Sequence, residues 1–265
     1  MDPEHFRLLL DRLGLSWSGY RKVRRGVQRR IAAHMQQLDC RNIFDYLQRL
    51  SREETVRLEC ERRMTVPISR FFRDRRLWEV LEGRVLPQLL DGDAARLRIW
   101  SAGCARGEEV YSLKILWENL RAAGRNMPAF EVLATDLQPD NLAMAQRGVF
   151  GISSLRELGS ADRSRWFETQ PGGERFAVHP ALRAGVVWMV HDLRDPPPGQ
   201  GFHMVFLRNN VLTYYHEDVR LNILTRLIPA LASAGLLVIG AHERLPSAIS
   251  GLAPLAECRQ ILKAS

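Results

Sequence analysis

Residues Trp100 to Tyr111 read WSAGCARGEEVY. The apolar run Leu97 to Ser101 leading into them has the pattern of a buried strand, and Glu108 and Glu109 open a stretch with helical patterning as far as Ala122. Gly103 and Gly107 lie in the turn between. Glycines at a strand-to-helix turn adopt backbone conformations closed to other residues and let a ligand approach the main chain. Two glycines four apart also occur in plain turns, so the stretch acquires meaning only from what surrounds it.

Downstream, strand-like apolar runs at Phe130 to Thr135, Val186 to Val190, Met204 to Leu207 and Leu236 to Gly240 alternate with helical patterning over Pro139 to Gly148 and Glu217 to Leu231. This alternation predicts a doubly wound α/β sheet. The strand after the glycine turn ends in Ala134-Thr135-Asp136, placing a carboxylate at the strand's carboxyl edge, where it can accept hydrogen bonds from both hydroxyls of a ribose. Glycine turn and acid together point to an adenosine-containing cofactor. Neither Gly-x-Gly-x-x-Gly nor Gly-Lys-Ser/Thr occurs at this turn, which argues against NAD and ATP.

Upstream, Val23, Val27, Ile31, Met35 and Leu38 mark one face of a helix predicted from Tyr20 to Leu38, with Arg21, Arg25 and Arg29 on another. Further helical stretches at Ile43 to Leu50 and Arg52 to Arg62 make residues 1–65 a small helical domain, with 66–265 forming the second domain. Within the latter, about 150–185 carries Pro171-Gly172-Gly173 and few apolar runs, an excursion from the main sheet.

The chain has 265 residues, 46% of them hydrophobic and 26% charged, which fits a globular protein and excludes a disulfide-stapled miniprotein. Its longest weakly polar stretch, Leu227 to Ala241, contains Pro229 and Gly235 and falls short of the ~20 apolar residues of a membrane span. Without a secretory pattern at Met1 to His5, a cytoplasmic location is expected. The four cysteines form no Cys-x-x-Cys pair, so reduced thiols and no metal site are expected. Of the formal net charge of +8, the first 63 residues supply +5. That bias favours an acidic partner, although a solvated charged face has the same composition.

Five stretches taken in order carry a resemblance. They are Met64 to Asp74 (MTVPISRFFRD), Trp100 to Tyr111, Ala134 to Asp136, Phe206 to Tyr215 (FLRNNVLTYY) and Gly240 to Leu245 (GAHERL). Together they are similar to the chemoreceptor methyltransferase (CheR) family over nearly the whole chain. The resemblance implies an S-adenosylmethionine-dependent protein-glutamate O-methyltransferase. Its fold would be a Rossmann-like class I methyltransferase sheet with a small N-terminal helical domain and a small β subdomain. Carried over by position, it assigns Ser69, Arg73, Gly103, Glu109, Asp136, Asp192, Leu193, Arg208 and Asn209 to the cofactor pocket, with Asp136 on the ribose. It also implies that Arg73 and Tyr214 lie beside the methyl group and that Arg30 reaches over from the helical domain. Arg29 competes with Arg30, and Tyr215 with Tyr214, where the correspondence shifts by one residue.

The residue types suit the chemistry. A glutamate side chain is already ionised near neutral pH, so accepting a methyl group in line from a sulfonium needs no general base. Positioning then carries the catalysis: an arginine holds one carboxylate oxygen while the other faces the methyl group, and a tyrosine hydroxyl fixes the angle.

Several positions depart from the family's pattern: Pro67 stands where asparagine is usual, Ser69 where threonine is, and His191-Asp192-Leu193 where an Asn-Leu pair is. The stretch from Arg208 to Tyr214 is one residue longer, and Gly240-Ala241-His242-Glu243 replaces Gly-His-Ser-Glu. These changes bear on the acceptor more than on the cofactor. The expected partner is an acidic helical protein, a chemoreceptor signalling domain, with no nucleic acid and no membrane insertion. Alternatives are a carboxyl methyltransferase acting on a small molecule or peptide outside chemotaxis, and a non-catalytic sensor of S-adenosylmethionine or S-adenosylhomocysteine. His34 is expected to pack within its helix, and His242 to make a structural hydrogen bond at a strand end.

Overall fold

The computed structural model describes residues 1–66, 69–91 and 95–264. The chain divides into two compact units, Met1–Pro67 with Asn210–Arg220, and Ile68–Asn209 with Leu221–Ser265.

The first unit holds α1 (Pro3–Arg12), α2 (Trp17–Tyr20), α3 (Arg24–Gln37), α4 (Ile43–Arg52) and α5 (Glu54–Met64). Local chemistry starts two of them: the Asp2 carboxylate accepts from His5 N with Pro3 in the first turn, and Asn42 accepts from Asp45 N. The apolar stripe of α3 buries Val27 and Ile31 against Phe6, Leu9, Tyr46 and Cys60. His34 lies on the same stripe, packed as expected, with its Nδ1 2.8 Å from the Tyr46 hydroxyl. The helix predicted from Tyr20 to Leu38 is broken at residues 21–23. Tertiary anchoring explains the break, because the buried Tyr20 donates to the Met64 carbonyl at 3.1 Å and packs its ring edge-on to Phe6, turning the chain before α3 can begin.

The second unit continues with α6 (Arg75–Val80), a π-helical turn (Leu81–Val85), α7 (Leu86–Leu90), β1 (Arg96–Ala102), α8 (Glu108–Ala122), β2 (Ala129–Asp136) and α9 (Pro139–Arg147). Pro87 lacks the amide that would continue the α-helical ladder, and the π turn just before it absorbs the mismatch. Then follow β3 (Val149–Gly151), α10 (Ser160–Trp166), β4 (Phe167–Thr169), β5 (Arg175–Val178), β6 (Val186–Val190) and β7 (Phe202–Leu207). After β7 come α11 (Val211–Tyr214), which lies wholly in the first unit's inserted segment, and α12 (Glu217–Leu227), whose first four residues belong to it too. The last strands are β8 (Leu231–Ile239), β9 (Leu252–Pro254) and β10 (Ile261–Ala264).

Seven strands form one sheet in the order β6-β2-β1-β7-β8-β10-β9, and β3-β5-β4 form a separate antiparallel sheet. The pairs from β6 through β8 are parallel, while β10 runs antiparallel to both β8 and β9. This is the class I Rossmann-like methyltransferase sheet. Near-continuous apolar runs in β1, β2 and β7 fit strands covered on both faces. α8 lies against the sheet so closely that ten of its residues are buried, including Lys114 and Glu118.

Strand order reverses between β1 and β7, which pair directly. In open α/β sheets a ligand crevice forms outside the carboxyl ends of the strands at such a switch point. Gly103 follows β1 there and Arg208 follows β7. No helix among the described residues is long and apolar enough to cross a membrane.

Candidate active site

The turn from β1 into α8 is shaped by backbone geometry. Gly103 has φ 82° and Gly107 φ 89°, the left-handed region that side chains disfavour. Gly103 N and Cys104 N both donate to the Thr135 carbonyl at 2.8 Å, tying the turn to the end of β2. At Gly107 a Cβ would also stand 2.9 Å from Ala145 Cβ and 3.1 Å from Trp188 Cη2. Gly107→Ala is therefore expected to cost about 1–3 kcal/mol, through left-handed strain and crowding together. A thermal melt checks this, and a midpoint within 1 °C or so of wild type would contradict it.

Asp136 ends β2 beside this turn. Its Oδ2 accepts from Ala105 N at 2.9 Å, and its Oδ1 from Gln138 N at 2.9 Å and Asn141 Nδ2 at 3.0 Å. A carboxylate has about four acceptor positions, so Oδ2 keeps room for one more donor. Burial pushes the carboxyl of Asp136 up from its ordinary value, opposed by these three hydrogen bonds. Cys104, buried next to it, is a thiol whose ionisation burial strongly disfavours.

On the other side of the switch point, Arg208 is almost wholly buried. Its Nη1 donates to Glu109 Oε2 at 2.9 Å, and its Nη2 to both Asp74 Oδ2 and the Arg73 carbonyl at 2.8 Å. Glu109 Oε1 in turn accepts from Ser101 Oγ at 2.8 Å. One guanidinium thus joins β1, α8, β7 and the segment before α6. The Arg73 carbonyl is held a second time by Trp78 Nε1 at 2.8 Å. Phe72 and Asp74, on either side of Arg73, have φ 51° and 66°, a strained choice for non-glycine residues. Phe72 N donates to Ser112 Oγ at 2.9 Å and Phe71 N to the Ser154 carbonyl at 3.1 Å. The backbone presenting Arg73 is held in one unusual conformation from several directions, the kind of strain that a surrounding structure must over-determine.

The remaining predicted positions in this unit are placed as follows. Asn209 (φ 56°) donates its N–H to Glu243 Oε2 at 2.9 Å, and the same oxygen accepts from Gly240 N at 2.7 Å. The Ser69 hydroxyl bonds the Glu108 carboxyl, which burial raises and which Ser69 and Ser154 pull back. Asp192 is clasped by Arg194, whose N and Nε donate to Oδ1 at 2.8 and 3.0 Å and whose Nη2 reaches Oδ2 at 2.6 Å. Burial raises its carboxyl, but Arg194 outweighs this and holds it below the ordinary value. Leu193 beside it is half-buried. Pro67 lies outside the described residues.

Arg30 and Tyr214 belong to the first unit. Arg30 Nε donates to the Arg63 carbonyl and its Nη2 to the Thr65 carbonyl, both at 2.8 Å, closing the end of α5. Arg29 is exposed. Tyr214 sits with its ring 5.0 Å from that of Tyr20, and its carbonyl accepts from Ser16 N at 2.7 Å.

Sequence reasoning missed the supports of the site: Asp74, Trp78, Ser101, Ser112 and Glu243. Asp74 and Glu243 stood inside quoted stretches, next to residues that were assigned. Trp78 and Ser112 gave no signal, because their roles depend on backbone groups brought near only by folding. The structural hydrogen bonds expected of His242 are made by Glu243, and His242 is exposed.

These groups fit S-adenosylmethionine. Asp136 offers an acceptor position for a hydroxyl, the glycine turn admits close approach, and buried Arg208 Nε has no hydrogen-bond partner among the described residues. No cluster of metal-ligating side chains occurs among the described residues.

Comparison with known proteins agrees. The family model described as "CheR methyltransferase, SAM binding domain" matches residues 68–259. A "Chemotaxis protein methyltransferase" of Listeria innocua is 31% identical over 250 residues, covering 94% of this chain and 92% of that protein. "Chemotaxis protein methyltransferase 1" of Pseudomonas aeruginosa is 34% identical over 225 residues, covering 83% and 81%. A solved TehB-like SAM-dependent methyltransferase from Corynebacterium glutamicum, 18% identical over 72% of this chain and 94% of that one, aligns with a TM-score of 0.39, too slight a likeness to add to these.

Proposed function

Because this chain belongs to the CheR methyltransferase family and binds S-adenosylmethionine as a methyltransferase, we propose that it methylates a glutamate side-chain carboxylate on an acidic helical protein, a chemoreceptor signalling domain. One observation carries this reading. The backbone around Arg73 is fixed by Trp78, Ser112 and Arg208, and Arg208 ties it to Glu109 of the glycine-turn motif. A fixed backbone at Arg73 limits where its guanidinium can reach, which suits an anionic acceptor.

When bound, S-adenosylmethionine supplies an electrophilic methyl group on a sulfonium. Asp136 would accept from the ribose, Gly103 would give the cofactor access to the backbone, and Glu109, Arg208, Asn209 and Ser69 would complete its pocket. Leu193 and the backbone at Asp192 line the adenine side, because Arg194 already occupies the Asp192 carboxylate. Arg73 binds one oxygen of the acceptor carboxylate and leaves the other to form the ester bond to the methyl carbon, whose bond to sulfur breaks with the electron pair staying on S-adenosylhomocysteine, the leaving group. The Tyr214 hydroxyl donates to the acceptor as an orienting group. Arg30, which closes the end of α5, is the lesser contributor. The acceptor oxygen needs no base, since it is ionised at neutral pH. The unit of residues 68–209 and 221–265 forms the catalytic domain, with the small β subdomain within about 150–185, and the unit of residues 1–67 and 210–220 forms the domain that receives the substrate in the cytoplasm.

Substrate choice rests on α3 and the turn before it. Arg21, Arg25 and Arg29 are exposed, and a row of cations there complements the acids of a helical partner. Reversing the charge at Arg25 and Arg29 is expected to reduce transfer to a recombinant chemoreceptor cytoplasmic fragment at least tenfold, with S-adenosylmethionine affinity unchanged. Unchanged transfer would remove α3 from the docking surface. Peptide mapping of the methylated fragment tests the acceptor: an ester on glutamate supports the reading. An inert fragment alongside a methylated small carboxylate would replace it with the small-molecule alternative.

A further inference from the structure

We infer that Gly19 and Tyr20 are positioning residues for Tyr214, so that the helical unit sets the place of a reacting-site tyrosine as well as receiving the substrate. The inference rests on the reading above, in which Tyr214 contacts the acceptor.

Segment Asn210–Arg220 is part of the helical unit, and the residues around Tyr214 are built onto the α1–α2 connection. Ser16 N donates to the Tyr214 carbonyl at 2.7 Å, Leu15 and Tyr215 form a β-bridge, and His216 N donates to the Gly14 carbonyl at 2.8 Å. The approach is closest at Gly19. A Cβ on Gly19 would collide with the Thr213 carbonyl oxygen and stand 3.1 Å from Tyr214 Cα. Both obstacles are backbone, so neither can swing aside as a long side chain could.

Gly19 is not needed for an unusual dihedral. It lies within α2, outside the glycines of positive φ, in a place where glycine weakens a helix relative to alanine. What a side chain would obstruct there is the Thr213–Tyr214 backbone. Tyr20, the next residue, supports the Tyr214 side chain, with ring centroids 5.0 Å apart at an interplanar angle of 57°. Tyr20 is itself held chiefly by burial of its ring, edge-on to Phe6, with its hydroxyl on the Met64 carbonyl as a second hold. Burial holds that hydroxyl firmly protonated, raising its pKa far above the usual phenol value, so Tyr20 supplies a ring and a donor and takes no part in proton transfer. Backbone at Gly19 and ring at Tyr20 thus define where Tyr214 stands.

The test is steady-state methylation of a recombinant chemoreceptor cytoplasmic fragment by wild type, Gly19→Ala, Tyr20→Phe, Tyr20→Leu, Tyr214→Phe and the double variant Gly19→Ala/Tyr214→Phe. A misplacement of about 1 Å can cost on the order of 100-fold in rate. Gly19→Ala is expected to lower kcat 10- to 100-fold, with S-adenosylmethionine affinity and the KM for the fragment within twofold of wild type. In the Tyr214→Phe background the same change should cost less than twofold, because the tyrosine it displaces has already lost its hydroxyl. Should Gly19→Ala not fold, the Tyr20 pair carries the test: Tyr20→Phe keeps the ring and should retain wild-type kcat within threefold, whereas Tyr20→Leu should lose at least tenfold. Unchanged kcat in Gly19→Ala, equal losses with and without the Tyr214 hydroxyl, or equal effects of the two Tyr20 variants would overturn the inference while leaving the proposed function standing. A folded wild type that transfers no methyl to any carboxylate overturns the proposed function, and this inference with it.

Discussion

Replacing Arg208 with methionine is expected to lower the stability of the catalytic unit by roughly 3–5 kcal/mol, the usual penalty for removing one partner of a buried ion pair. The Arg208 side chain is 3% exposed, and those of its partners Glu109 and Asp74 are 15% and 25% exposed. Methionine fills a similar volume but returns nothing to Glu109 Oε2, Asp74 Oδ2 or the Arg73 carbonyl. Two half-dry carboxylates then face each other without the cation between them. For a domain of this size the melting temperature should fall on the order of 10 °C. Arg208→Lys should recover only part of the loss, because a single ammonium on a flexible stem cannot reproduce a planar fork that reaches three acceptors. A melting temperature unchanged in Arg208→Met would mean that the carboxylates find other partners and that the network does not hold Arg73 in place.

The second large effect is expected at Asp136. Calorimetric titration with S-adenosylmethionine and S-adenosylhomocysteine should show binding by wild type and a loss on the order of 10- to 100-fold in Asp136→Ala, since a hydrogen bond to a buried charged group is worth about 1.5–3 kcal/mol. Part of that loss comes through the protein, because Asp136 also holds Ala105 N, Gln138 N and Asn141. A pH series separates the contributions. Burial raises the Asp136 carboxyl, so in the empty protein its ionised form costs folding stability; that stability is present at low pH and lost as pH rises through its raised pKa. With one acceptor position left, Asp136 takes one ribose hydroxyl rather than the two expected from the sequence, and that hydroxyl donates to the ionised form. Cofactor affinity should therefore rise with pH through that same range in wild type and stay flat in Asp136→Asn. Tight binding by Asp136→Ala, or a wild-type affinity indifferent to pH there, would remove Asp136 from the ribose.

Much of this architecture was legible in the sequence because periodicity reports burial. β6 and α8 run as predicted from Val186 to Val190 and from Glu108 to Ala122, and β1, β2 and β7 differ only at their ends. β8 begins at Leu231, before the predicted Leu236, because the pairing with β7 shifts register between Phe202 and Met204 and Gly235 sits where the backbones crowd. β9 and β10 left little pattern, being three and four residues long. At the site, residues flanking the glycine turn could be named because turn chemistry is local. What holds them could not, because Arg208 meets Glu109 and Asp74 across separations of 99 and 134 residues. The inclusion of Asn210–Arg220 in the helical unit was equally invisible, since it depends on Gly19 meeting a carbonyl almost two hundred residues away.

The most direct test of the account is incubation of the purified protein with methyl-tritiated S-adenosylmethionine and a recombinant chemoreceptor cytoplasmic fragment, followed by mild alkali. Carboxyl methyl esters are cleaved by alkali, so the account predicts protein-bound label that is released as volatile methanol, and its loss in Arg73→Ala even at saturating S-adenosylmethionine. Label that resists alkali, or equal labelling by Arg73→Ala, would contradict transfer to a carboxylate oriented by Arg73.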